Sequence, residues 1–142
     1  KTNNCNFFTK LVNGSYPDYD RIIPTEFENE FLLKRIDFVK AIQTVNSLSQ
    51  NIKISFNYNN VKNSILIQSI ENDSKAKTEY EEEITLENEI ILCANSKYLL
   101  DFLNSVSSEK ISFMINDSNS PFILKDNDFF TLIVALSNNS NN

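Results

Sequence analysis

Four of the five residues from Glu79 to Glu83 are glutamates. They are the densest set of groups in the chain that could hold a cation or carry a proton. Asp18 and Asp20 form a smaller acidic pair, with Arg21 beside them. The chain has no histidine, so imidazole acid–base chemistry and histidine metal ligation are absent from it. Its two cysteines, Cys5 and Cys93, lie far apart and neither has a CxxC neighbour. They read as reduced thiols, with Cys93 buried in a strand; a disulfide between them stays open. None of the carboxylate spacings matches a metal-ligand set. The glutamate run therefore reads either as a carboxylate or metal site of a small enzyme, or as a solvated acidic strand edge that resists aggregation.

The elements that would position these groups follow from periodicity. Residues 6–12 form one strand-like run, closed by Asn13-Gly14. Residues 26–34 read as a strand and 37–48 as a helix, with Phe38, Val39, Ala41, Ile42, Val45 and Leu48 as its apolar stripe. That helix lacks a good N-cap residue. Residues 52–57 and 64–70 alternate as an antiparallel hairpin. Glutamate favours helix, but Thr78, Tyr80, Ile84 and Thr85 favour a strand over 78–86, with Glu79, Glu81 and Glu83 on one face. Residues 89–94 read as a buried strand. Asn95 caps a helix over 96–106, whose stripe is Tyr98, Leu99, Phe102, Leu103 and Val106, with Lys97, Asp101 and Asn104 pointing away. Strands follow at 110–115, 122–125 and 130–136. The order is βαβββ twice, an α+β architecture with two helices packed on antiparallel sheet.

The chain has 142 residues, 41% hydrophobic, with 11 Phe and 5 Tyr. That supports one full domain with its own core and argues against disorder. Gly14 is the single glycine, so Asn, Asp and Ser must make the other turns. The net charge of −6 is unlike that of a general nucleic-acid binder, although a locally basic face is compatible with it. No apolar run reaches spanning length and no signal peptide is visible; a soluble cytoplasmic protein is expected. The chain starts at Lys1, which reads as a piece of a longer protein.

Pro17 and Pro24 bracket a segment that is neither full helix nor central strand. Chemically it is a rigid linker with an apolar side. With its flank, residues 8–24 (FTKLVNGSYPDYDRIIP) resemble the run "KLVDGRFPDYxRVIP" of the bacterial DNA polymerase III β subunit, the sliding clamp. Residues 35–42 (RIDFVKAI) are similar to the family's "RKELLEAL", 95–103 (NSKYLLDFL) to "NPKYLLDAL" and 117–124 (DSNSPFIL) to "DPLSPVLI". Four matches in order cover nearly the whole chain.

The resemblance implies a DNA clamp fold. Residues 1–24 would end the middle domain and form the connector, 25–137 the C-terminal domain, and 138–142 a disordered polar tail. It implies a non-catalytic processivity factor without cofactors. Such a clamp is a head-to-tail homodimer ring around double-stranded DNA that tethers DNA polymerase III through its alpha subunit, the clamp loader and other clamp-binding-motif proteins. Contact with DNA would be loose and mostly to phosphates. Lys40 and Lys97, on the polar helix faces, are then DNA-facing, or else ordinary surface lysines. A partner-peptide pocket would be built from Pro17, Arg21, Ile22, Pro121, Leu132 and Val134; Leu132 and Val134 equally suit plain core positions. Ser47, Leu48, Glu81 and Glu83 would meet the neighbouring protomer.

Two departures from the family pattern stand out. The family's closing "VMPMR" is here Ile133-Val134-Ala135-Leu136-Ser137-Asn138, and its "SNEKFRGV" loop is shortened to Ser49-Gln50-Asn51-Ile52 without the basic residues. They leave open a clamp-derived interaction module that does not encircle DNA.

Overall fold

The computed structural model describes residues 23–57, 64–70, 76–82, 84, 86 and 88–136. The elements run β1 (Asn29–Lys34), α1 (Arg35–Asn46), β2 (Asn51–Asn57), β3 (Ser64–Ser69), β4 (Lys77–Glu81), β5 (Ile90–Asn95), α2 (Ser96–Ser105), β6 (Lys110–Ile115), β7 (Phe122–Asp126) and β8 (Phe129–Ile133). This is βαβββ twice, as the periodicity predicts. The expected strand over 6–12 lies outside the described residues.

The strands divide into two four-stranded antiparallel sheets, ordered β1-β6-β7-β8 and β4-β3-β2-β5. The sequence left that division undrawn. Each repeat lends its first strand to the other repeat's sheet. β1 pairs with β6, ending at Lys34↔Lys110, and β5 pairs with β2, ending at Asn51↔Asn95. The two exchanges are held alike. Each strand runs into its helix without a loop, and the first helical N–H donates to the carbonyl just ahead of the partner strand. Arg35 N reaches Glu109 O at 2.9 Å and Ser96 N reaches Gln50 O at 2.8 Å.

α1 and α2 pack on each other and on the sheets. In β2 and β3 the alternation predicted from sequence puts Ile52, Ile54, Ile65 and Ile67 fully inside, and Leu92 of β5 faces Ile54. Against the other sheet, Phe113 stacks between Phe31 (5.3 Å) and Phe122 (5.1 Å), and Phe38 of α1 meets it edge-on at 6.4 Å. Burying each of these side chains contributes about 1.5–3 kcal/mol, and the paired rings add about 0.5–1.5 kcal/mol more.

Both helices differ in detail from their sequence reading. α1 begins two residues early, because β1 feeds it directly, and it ends at Asn46. Leu48 therefore falls past the helix, is half exposed and is not part of the core stripe. Tyr98 is 60% exposed and is likewise not core; Leu99, Phe102 and Leu103 carry that role. Asn95 caps α2 as expected, its Oδ1 accepting from Lys97 N at 2.9 Å.

α1 has no side-chain cap of its own. Glu82 fills that place from the far end of β4. It is buried, its Oε2 accepts from Lys34 N at 3.0 Å, and its Oε1 lies 3.7 Å from Lys34 Nζ. A capping-box glutamate makes the same contact from three residues into its own helix; here it comes from 48 residues downstream. An anion at a helix N-terminus is also favoured by the helix dipole. β4 ends at Glu81 because Glu82 turns inward, whereas the alternation predicts a strand to residue 86. Beside Glu82 sits Tyr80, whose buried hydroxyl has no hydrogen-bond partner among the described residues. Burial, then the charges of Glu82 and Asp37, push that phenol well above its ordinary range.

The turns use the residues that composition leaves for them. Asn127, between β7 and β8, has φ of 54°, the left-handed conformation that asparagine tolerates better than most. Asp117 organises the β6–β7 turn. Its Oδ1 accepts from Asn119 N (2.8 Å) and Ser120 N (2.9 Å), and its Oδ2 accepts from Ser120 Oγ at 2.5 Å. Those bonds, the serine hydroxyl first, hold its carboxyl below the usual value of 3.8.

Two outcomes follow for stability. Glu82→Ala removes a buried acceptor and is expected to lower unfolding free energy by about 1–3 kcal/mol in urea titrations, while the exposed Glu81→Ala changes it by less than about 0.5 kcal/mol. The Asp117 contribution has a defined pH window. A carboxyl with a lowered folded pKa stabilises the fold above its unfolded pKa, and that benefit disappears as pH falls through the folded value. Asp117→Asn is therefore expected to cost a little stability at pH 7, well under about 1 kcal/mol at so exposed a site. The gap to the parent should close below pH 3.8.

Candidate functional site

A groove of about 650 Å³ runs between α2 and the segment from β8 to Leu136. Its position follows from two edges. β8 is the last strand of its sheet, so among the described residues nothing pairs beyond it. α2 comes close to this edge through Phe102, which stacks on Phe129. Tyr98, Asp101, Phe102 and Ser105 line the helix wall, spaced as one helical face requires.

The floor is a stacked pair. Phe102, buried, lies 5.4 Å from Phe129, with ring planes 10° apart. Phe129 keeps 55% of its surface exposed. Alternation in β8 places Ile133 in the core and turns Phe130 and Leu132 to the opposite side; Phe130 is about half exposed. Past the strand, Val134 is 63% exposed. Leu136 N donates to Cys93 O at 2.8 Å, which ties the end of this segment to β5, just ahead of the start of α2. The groove is thus anchored at Phe102–Phe129 at one end and by the Leu136–Cys93 bond at the other. Burial pushes the Cys93 thiol up, with Lys53 opposing.

Of the candidates for the pocket, Leu132 and Val134 line this groove rather than the core. Pro121 is half-buried at the start of β7 and is not among the lining residues. Pro17, Arg21 and Ile22 lie outside the described residues. Lys40 on α1 and Lys97 on α2 are exposed. Ser47 follows α1, exposed, with its hydroxyl donating to Thr44 O at 3.0 Å, and Leu48 is next to it. Glu81 is exposed at the end of β4, the edge strand that α1 packs beside; Glu83 lies outside the described residues. The other described glutamates of that run diverge. Glu79 accepts from Ser64 Oγ at 2.6 Å, while Glu82 holds the start of α1.

Reading the sequence missed Tyr98, Phe129 and Phe130. The adjacent aromatics at 129 and 130 carried the signal, since a strand with one buried face cannot hide both.

Known proteins share this fold and sequence. Residues 20–134 match the family model described as DNA polymerase III beta subunit, C-terminal domain. The beta sliding clamp of Helicobacter pylori strain J99 is 32% identical over 124 residues, covering 84% of this chain and 32% of that protein. The chain thus spans about a third of the length of the curated relatives it matches. Among solved structures, a Helicobacter pylori beta clamp bound to a DNA ligase peptide superposes with a TM-score of 0.79 at 32% identity, over 91% of this chain and 35% of that one. A Bartonella birtlesii sliding clamp bound to griselimycin gives 0.79 at 26% identity, over 91% and 36%. With a duplicated βαβββ domain, a TM-score of 0.79 to solved clamps and a family model spanning residues 20–134, this chain belongs to the DNA polymerase III beta subunit family and carries that family's C-terminal domain.

Proposed function

We propose that this chain serves as the C-terminal domain of a bacterial DNA sliding clamp and that the α2–β8 groove is its docking place for partner peptides. The observation that carries the reading is the groove itself. It is apolar, formed by rigid elements, and presents Leu132 and Val134 outward in a domain that superposes on a clamp holding a DNA ligase peptide. A stable monomer seldom leaves so many large apolar groups together at its surface unless something covers them.

The work done is tethering, without catalysis. In a head-to-tail homodimer ring around double-stranded DNA, Lys40 and Lys97 face phosphates. Ser47, Leu48, Glu81 and Glu83 meet the next protomer. Pro17, Arg21, Ile22 and Pro121 frame the connector side of the peptide site. DNA polymerase III alpha subunit, the clamp loader and other proteins with a clamp-binding motif then compete for one apolar groove, which suits exchange of partners on a common ring.

Peptide binding tests the reading. A short fluorescent peptide with leucine and phenylalanine anchors is expected to bind in a polarisation titration. Val134→Glu, which puts a charge on an exposed groove position, should weaken it by about tenfold or more with an unchanged melting temperature. Phe129→Ala should weaken it as well and also cost about 0.5–1.5 kcal/mol of stability through loss of the ring stack. Binding that is indifferent to both substitutions would remove the groove from the mechanism.

A further inference from the structure

The last turn of α2 is held from outside its own helix. Helix-terminal carbonyls have no partner within their helix. α2 has no basic residue in its last turn, and Val106 leaves it extended at φ −109°, ψ 160°. Ser105 Oγ donates to Phe102 O at 2.7 Å. Leu103 O is met from another element: Arg35, the first residue of α1, donates to it from Nη1 at 3.2 Å. The same guanidinium donates from Nε to Ser108 O at 2.9 Å. Resting on the peptide-docking reading, we infer that Arg35 is a positioning residue of the groove, holding both of its walls at the separation a partner peptide needs.

Two routes lead from the guanidinium to the groove. The first is short. Leu103 follows Phe102, and a fixed Leu103 carbonyl fixes the turn that carries the lining residues Phe102 and Ser105. The second runs through Ser108. Its hydroxyl donates to Asp126 Oδ1 at 2.6 Å, and Asn127 Nδ2 donates to the same oxygen at 2.9 Å. Asp126 ends β7 and is the register partner of Phe129, which opens β8. The routes meet where Phe102 and Phe129 stack. The floor of the groove is therefore one side of a closed loop of contacts, with Arg35 on the other.

The chemistry suits arginine and not lysine. A guanidinium presents several N–H donors in one rigid plane and can serve two carbonyls at once, whereas an ammonium is a single point. A cation beside the last carbonyls also complements the α2 dipole. Arg35 is half-buried, and its backbone N–H is bound to Glu109 O at 2.9 Å, which fixes where the side chain starts. Phe129 keeps 55% of its surface exposed, so its own packing constrains it weakly. Without the tie, ordering that ring falls on the binding step, at about two- to tenfold in affinity for a side chain that must be immobilised.

Polarisation titration of the fluorescent leucine and phenylalanine peptide, on the intact protein well below its melting temperature, tests the inference. Arg35→Lys keeps the charge and loses the fork; it is expected to weaken binding by about two- to tenfold. Ser108→Ala leaves both guanidinium bonds and cuts only the tie to Asp126; it should weaken binding by about two- to threefold. Ile54→Val, a core change in the other sheet, should lower the melting temperature by a few degrees and leave the affinity alone, so lost stability is not the cause. A cycle with Phe129→Ala separates positioning from general loosening. Without that ring there is little left to position, and Arg35→Lys should then add less than about twofold. Where Arg35→Lys does not fold, Ser108→Ala and its own cycle with Phe129→Ala decide in its place. Unchanged binding in both Arg35→Lys and Ser108→Ala, a loss that adds in full to that of Phe129→Ala, or an equal loss in Ile54→Val overturns the role of Arg35 and leaves the docking reading standing. Failure of the parent protein to bind the peptide overturns both.

Discussion

The exchange of first strands between the two repeats is the constraint on which the rest of the molecule depends. β1 belongs to the first repeat but completes the second repeat's sheet, and β5 does the reverse. Neither βαβββ unit can then satisfy its own sheet. Strand pairing and helix placement are settled together, because each helix begins where its strand leaves the other repeat's sheet. The bonds Arg35 N to Glu109 O and Ser96 N to Gln50 O use helix-terminal donors that would otherwise need caps. A buried polar link, Ser96 Oγ to Asn46 Oδ1, joins the end of α1 to the start of α2. The two helices are therefore held in register with each other as well as with the sheets.

That arrangement has two edges of opposite character. β4 and β8 hold the same place in their sheets, each the outermost strand opposite the exchanged one. β4 reads KTEYE and is acidic; β8 reads FFTLI and is apolar. An unpaired edge invites another strand. Carboxylates on β4 admit a partner only where charge is matched. β8 turns Phe129 onto Phe102 of α2 and, with the segment to Leu136, lines a groove rather than leaving a bare ladder. The third edge, β5, is closed from within the chain: Ser118 Oγ accepts from Ile91 N at 3.3 Å, and Leu136 N donates to Cys93 O.

Much of this was legible in the residues. Alternation in β2 and β3 and the helical spacing of Phe38, Ile42 and Val45 gave elements of the right type, because local period and burial agree there. Asn95 announced its cap. The strand exchange was not legible, since both partners of a pair carry the same apolar pattern and nothing in either says which sheet it joins. Glu82 was hidden for a related reason. Its neighbours are also glutamates, and only the lack of a cap on α1, 48 residues upstream, makes one of them structural. Tyr98 was misread as core because helical spacing identifies a face without saying what lies against it. The face it shares with Asp101 looks onto β8, where the sheet ends.

The charge pattern of the helices bears on how such a domain holds DNA in the clamp reading. Arg35, the one arginine among the described residues, is occupied with the backbone: its guanidinium reaches Ser108 O at 2.9 Å and Leu103 O at 3.2 Å. On the exposed positions of α1 and α2, Lys40 and Lys97 are balanced by Asp37 and Asp101. Such a wall supplies little counterion release, and affinity that rests on phosphate contacts falls away when those contacts are few. On the function proposed above, a ring built this way would hold the duplex by enclosure, not by attraction. Weak contact then becomes an advantage, because each phosphate grip that must break slows sliding. On that proposal, the acidic balance of the chain would suit a topological hold on DNA, with specific contacts reserved for protein partners.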